Sequence, residues 1–147
     1  KNATEMSIAA NLAGKAISIS KTIAPHAASY PFTSLFNISH GHAVSLFFER
    51  FFKFNYENLE KSEVSFDLKK RFDLIFNLFD VPNIESFNSK ISLIKNQSKL
   101  SDNMKLLNIN LDKNIDNIIA GVNLLRLGNN PVKIDGKDIT NIILDKR

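Results

Sequence analysis

The chain has 147 residues, 44% hydrophobic and 23% charged, which is ordinary globular usage for about one domain and excludes a disordered, collagen-like or low-complexity chain. Cysteine is absent, so neither a disulfide framework nor a thiolate metal site is possible. The net charge of +4 is mild, and its 19 Lys and Arg are interspersed with 15 Asp and Glu, unlike the concentrated basic face of a nucleic-acid binder. No nucleic-acid partner is expected. Residues 43–48 form a short apolar run that meets Glu49-Arg50, far from the about 20 apolar residues that span a bilayer. Glu5, Asn11 and Lys15 interrupt what would be the apolar stretch of a signal peptide. No membrane partner is expected either, and the protein reads as cytoplasmic. It starts at Lys1 rather than Met, as a fragment or a processed form does.

Hydrophobic spacing predicts an all-α chain with at least five helices and essentially no sheet. Only 5 Gly and 4 Pro are present, too few for a turn-rich β fold. In the first segment Ala9, Leu12, Ala13, Ala16 and Ile17 share one face, and Gly14 keeps it thin enough for a neighbour to approach closely. Residues 22–40 carry Pro25 and Pro31. Thr22 is expected to cap a helix with Pro25 in its first turn, and Pro31 to break or kink it within two turns. Short broken helices there would fill a core poorly but could place polar side chains inside one. Val44, Phe47, Phe48 and Phe51 then follow helical spacing, as do Leu68, Phe72, Ile75, Phe76 and Phe79, before Val81-Pro82 ends the run. Ile84, Phe87, Ile91 and Ile94 form the next stripe. Leu111, Ile115, Ile118, Ile119, Val122 and Leu125 form another, with Asp112 and Asp116 near its start. Gly128-Asn129-Asn130-Pro131 is a stop and turn. Asp135 is placed to cap a last helix carrying Ile139, Ile142 and Ile143, and the last twenty residues are expected as a loosely packed tail. No repeat and no linker divides residues 1–147, so one domain is expected.

The 3 histidines, His26, His40 and His42, all fall at or just after the proline-bearing stretch. Neutral imidazole is a common metal ligand, and two ligands from adjoining segments can meet at one ion. The plainer alternative is surface or hydrogen-bonded core histidines. A metal site needs three or four protein ligands, and no Asp or Glu lies between Glu5 and Glu49. His42 lies two residues from His40 and does not share its helix face, which leaves it as an exposed first-turn residue or as a donor to substrate or to another ligand.

These residues carry a resemblance. Ala13-Gly14-Lys15-Ala16-Ile17, then His26-Ala27-Ala28-Ser29-Tyr30-Pro31, then Ser39-His40-Gly41-His42-Ala43, resemble the AG-A helix, the H-x-x-x-H-P segment and the P-H-G-x-A helix start of the iron-containing (group III) alcohol dehydrogenases. Arg126-Leu127-Gly128-Asn129-Asn130-Pro131-Val132-Lys133, followed by Lys137-Asp138-Ile139, is similar to that family's closing segment. The resemblance runs from near residue 5 to near residue 144. It departs at Tyr30, where the family has a second His by the nicotinamide ring, and at Ser39, where it has Pro.

The resemblance implies the family's C-terminal helical domain, shared in type with dehydroquinate synthase-like proteins. It implies His26 and His40 as two of the metal ligands, with the other two in an earlier D-x-x-x-H helix. A preceding α/β nucleotide-binding domain is not in this chain, which holds no glycine-rich strand-loop-helix and so no cofactor-binding residues. The intact enzyme would interconvert an alcohol and an aldehyde or ketone with NAD or NADP, as a homodimer, using Fe(II), or Zn(II) or Mn(II) in its place. Tyr30 is the catalytic candidate. Lys21 and His42 are candidate substrate contacts, Lys21 because it could pair with an anionic alcohol. The chain alone is expected to be inactive. Two alternatives stand: a glycerol dehydrogenase- or dehydroquinate synthase-like relative, and a non-catalytic helical interaction domain.

Overall fold

A computed structural model describes residues 2–145. Within them the all-α expectation holds: nine α-helices follow one another, and the only pairing of extended backbone is an isolated bridge between Ser62 and Val132. The helices are α1 (Asn2–Ser20), α2 (Ala24–Phe36), α3 (His40–Ser45), α4 (Phe48–Glu57), α5 (Leu68–Leu78), α6 (Ile84–Gln97), α7 (Leu111–Ala120), α8 (Leu124–Leu127) and α9 (Gly136–Leu144). No helix among the described residues is long and apolar enough to cross a membrane.

Two apolar clusters are built around α4. Phe51 joins Phe47, the alanines and Phe32 of α2, Ile118 of α7, and Ile139 and Ile143 of α9. The neighbouring stripe of α4, Phe48, Phe52 and Tyr56, faces Phe72 and Phe76 of α5 and Phe87 of α6. There Phe52 stacks on Phe87 at 4.5 Å between centroids and meets the edge of Phe72 at 4.8 Å. Aromatic pairs of this kind add to simple burial, which explains how a Phe-rich chain without Trp makes a second core. The single helical stripe expected through residues 44–51 is therefore interrupted. Phe47 leaves helical geometry (φ −124°, ψ 10°), and the chain re-enters a helix at Phe48 with its two aromatic stripes serving different clusters.

Pro31 does not break its helix. α2 runs unbroken through it and is the most buried helix of the chain, with Ala24, Ala27, Ala28, Ser29, Pro31 and Phe32 all inside. A proline within a helix removes the donor that would serve the carbonyl four residues back, here that of Ala27. The Asn123 N–H takes that role, donating to the Ala27 carbonyl at 3.2 Å. The cost of Pro31 is thus offset by docking of the α7–α8 junction. Thr22 is not the cap: Ile23, extended, occupies that position without a side-chain bond, and Pro25 at the second helical position has no N–H that needs a capping acceptor.

The same junction explains a second departure. The stripe read through residues 111–125 is two helices, parted at Gly121-Val122-Asn123, and Asn123 caps α8 by accepting from the Arg126 N–H at 3.0 Å. A Cβ built on Gly121 would stand 2.9 Å from the Pro31 Cβ, so glycine lets the two backbones close.

Nor are residues 128–145 a loose tail; residues 146–147 of that stretch lie outside the described residues. Val132, Ile139 and Ile143 are buried, α9 carries the expected Asp135 cap as a full capping box with Asp138, and the Asn130 and Asn55 side-chain amides pair reciprocally at 2.7 and 3.2 Å. In contrast, α1 buries no residue, and the close neighbour expected for its small-residue face is not found among the described residues.

A Gly121→Ala variant is expected to unfold in urea with about 1–3 kcal/mol less stability, because the added methyl meets a proline ring that cannot swing aside. Gly14→Ala, where a Cβ meets nothing within 4 Å, is expected to be neutral or to gain up to about 1 kcal/mol of helix propensity. Equal effects of the two would contradict this packing.

Candidate metal centre

α2 and α3 pack closely because the residues between them are small: Ala27 and Ala28 on one side and Ala43 on the other are buried. Asn37, in the left-handed region (φ 54°), closes α2 and turns the chain, and α3 begins after Ser39. The link thereby returns His40 to the start of α2, where His26 lies in the first turn. The two imidazoles stand 5.5 Å apart between ring centroids, tilted by 57°. Tyr30, one turn along α2 from His26, lies 6.1 Å from the His40 ring.

This spacing suits shared ligation. With a metal–nitrogen bond of about 2.1 Å and a centroid about 1.2 Å beyond it, two imidazoles at a tetrahedral angle on one ion would have centroids about 5.4 Å apart. The donors also suit a divalent ion of borderline softness. No group of three or more His, Asp or Glu that could hold a metal occurs among the described residues, so this chain offers a pair and not a closed site.

His26 is partly buried, and that desolvation holds its pKa below the ordinary 6.5; electrostatic repulsion involving His40 and Arg126 lowers it further. The ring is therefore neutral at pH 7, with a lone pair free for a metal. Arg126 belongs to α8, which the Asn123–Ala27 bond fastens to α2. Sequence reasoning assigned it no role, since a hundred residues separate it from His26 and no local pattern marks the pairing.

The other expected site residues have different partners. The His42 Nε2 donates to the Ser101 carbonyl at 2.8 Å, which fixes its tautomer when neutral and ties α3 to the segment before α7. Beside it the buried Lys95 ammonium spends its three protons on Glu49 at 2.7 Å, Asp102 at 2.5 Å and the Ser45 carbonyl at 3.2 Å. His42 and Lys95 thus hold the 101–102 segment against the back of α3. Lys21 is exposed, and its ammonium donates to the Ser18 carbonyl of α1 at 3.3 Å. The structure brings together His26, His40 and Tyr30, and no hydrogen bond or ring contact joins Lys21 or His42 to them.

Comparison with protein families decides what such a domain is. The family model described as Fe-containing alcohol dehydrogenase family, C-terminal, matches residues 1–146. The chain belongs to the Fe-containing alcohol dehydrogenase family. The match covers almost the whole chain, and the all-α fold is what this C-terminal domain calls for. No curated protein and no solved structure matches the chain. The resemblance carried by the histidine segments and by the closing Asn-Asn-Pro segment is thereby borne out. For an Fe-containing alcohol dehydrogenase domain, a histidine pair on adjoining helices is where a metal would be sought.

Titration of the ring protons by NMR is expected to place the His26 midpoint below 6.5. In His40→Ala it should rise part of the way, because burial, the larger cause, remains. The sign for stability follows. Below pH 6.5 the unfolded chain takes up a proton that folded His26 resists, so this contribution is intact above that pH and is lost on acidification. A His26 midpoint at or above 6.5 would contradict the site's description.

Proposed function

We propose that this chain is the metal-holding C-terminal domain of an NAD(P)-linked alcohol dehydrogenase that interconverts an alcohol and an aldehyde or ketone. The observation that carries the reading is the 5.5 Å pairing of His26 with His40 in a chain of the Fe-containing alcohol dehydrogenase family. When bound, a divalent ion would polarise the alcohol oxygen and the nicotinamide would accept the hydride, the hydroxyl proton leaving to solvent.

His26 and His40 supply two nitrogen ligands, and the lowered pKa of His26 keeps its nitrogen unprotonated for that task. A site needs three or four protein ligands, so further ligands come from another part of the intact enzyme. Tyr30, whose ring lies 6.1 Å from His40, is the catalytic candidate of this chain, with a hydroxyl able to give or take a hydrogen bond at the substrate oxygen. The nicotinamide is held elsewhere, because this sequence contains no glycine-rich strand-loop-helix for a pyrophosphate. The uncovered face of α1, with Met6, Ile8 and Leu12 exposed, supports a domain that meets further protein in the intact enzyme.

The test is metal analysis and turnover of the intact enzyme after dialysis. His26→Ala and His40→Ala are expected to lose the metal and to reduce alcohol oxidation by more than about 100-fold, since even residues that only support a ligand cost about 10- to 100-fold. His42→Ala, which removes a bond to Ser101 and no ligand, is expected to retain the metal. Loss of metal in His42→Ala with retention in His26→Ala would refute the assignment.

A further inference from the structure

We propose that Lys95 is a positioning residue of the metal centre, setting α3 so that His40 faces His26; what concerns a bound metal here rests on the reading above. α3 has little of its own to hold it. It is six residues long, far below the about 12 residues at which an isolated helix becomes even marginal. Ser39 precedes it without a side-chain capping bond, and of its residues only Ala43 is buried. Its seam with α2 is made of alanine methyls, from Ala27, Ala28 and Ala43. Such a seam lets two helices approach closely but offers no large side chain to seat in a groove, so it fixes neither the rotation nor the slide of α3. A slip of one residue would swing His40 about 100° around the helix axis, away from His26.

What indexes α3 lies behind it. The Ser45 carbonyl at its end, an acceptor without a helical donor, takes a hydrogen bond from the Lys95 ammonium at 3.2 Å. The same ammonium meets Glu49 at 2.7 Å and Asp102 at 2.5 Å. Glu49 stands in the first turn of α4 and also accepts from the Ser92 hydroxyl at 3.2 Å, so α6 grips the α3–α4 joint through two side chains. Asp102 follows Ser101, whose carbonyl bonds His42 at 2.8 Å. α3 is thus tied near its start through His42 and at its end through Ser45, and both ties run to one nitrogen. Lys95 is 5% exposed. A buried ammonium is costly, and an apolar side chain of similar length would serve packing alone as well or better. What lysine adds at this place is direction, three bonds that hold a short helix in one register.

The test uses the intact enzyme stripped of metal. Lys95→Met combined with Glu49→Gln removes the ammonium together with the buried carboxylate charge it would leave unpaired. Two quantities are compared with wild type: the urea midpoint, and the Kd for Zn(II) without urea, where both proteins are folded. A side chain that serves stability alone moves the first and not the second. The Kd is expected to weaken about 10- to 100-fold, the range for removing the outer support of a metal ligand. In the metal-free protein, the ring-proton NOEs between His26 and His40, whose centroids stand 5.5 Å apart, are expected to fade in the double variant. Asp102→Asn, which leaves the Lys95–Glu49 pair in place, is expected to shift both readouts in the same direction by less.

Undiminished NOEs in the double variant would overturn the proposal, because His40 would then keep its place without Lys95. An unchanged Kd would overturn it as well, whatever happens to the urea midpoint. If the double variant does not fold, Asp102→Asn decides, and wild-type NOEs and Kd in that variant would overturn the proposal. If wild type binds no Zn(II) while the ring NOEs still depend on Lys95, the positioning role is upheld and the metal reading falls.

Discussion

The structure turns on one backbone carbonyl. Pro31 leaves the Ala27 C=O without its helical donor in the middle of the most buried helix, and an unpaired carbonyl there would cost about 1–3 kcal/mol. The Asn123 N–H fills it at 3.2 Å. For that bond to form, α7 must end and the chain must close on the Pro31 ring, which Gly121 permits because it has no Cβ to strike it. The bond therefore fixes where α7 stops, where α8 starts and which face of α2 they cover. It also brings α8, which carries Arg126, against α2.

The site follows from this docking and from a second clamp behind it. On one side, α8 places a cation against the first turn of α2. On the other, His42 and the Lys95 ammonium hold the 101–102 segment against α3, the helix that begins with His40. The two imidazoles are set between these supports by the small residues Ala27, Ala28 and Ala43, and not by a carboxylate network. The electrostatic outcome is an imidazole whose pKa burial holds below its ordinary value. On the proposed reading its lone pair would serve a metal whose other ligands come from further protein.

Much of this was legible in the sequence. The apolar periods at residues 68–79 and 84–94 are helices α5 and α6, and Asp135 caps α9 as its chemistry implies. The clustering of His26 and His40 near two prolines marked the pair that the structure brings together. What misled was local reasoning applied to tertiary facts. Pro31 reads as a breaker because nothing nearby in sequence can serve Ala27; the donor lies almost a hundred residues away. Ile118, Val122 and Leu125 read as one stripe because periodicity does not register that a helix must end to release an N–H. Thr22 resembles a cap, yet Pro25 at the second helical position leaves little for a cap to do. The closing segment looked like a tail, since the Asn130–Asn55 amide pair that docks it is a long-range contact. Arg126 had no signal at all beyond its place in the motif.

The central claim is that α2 and α3 present His26 and His40 to one ion. It is tested most directly by anomalous diffraction from crystals of the intact enzyme loaded with iron or zinc, collected at the metal's absorption edge. The account predicts a single strong peak at about 2.1 Å from one ring nitrogen of each of these histidines. A peak bound to His42, or one touching neither His26 nor His40, would contradict it.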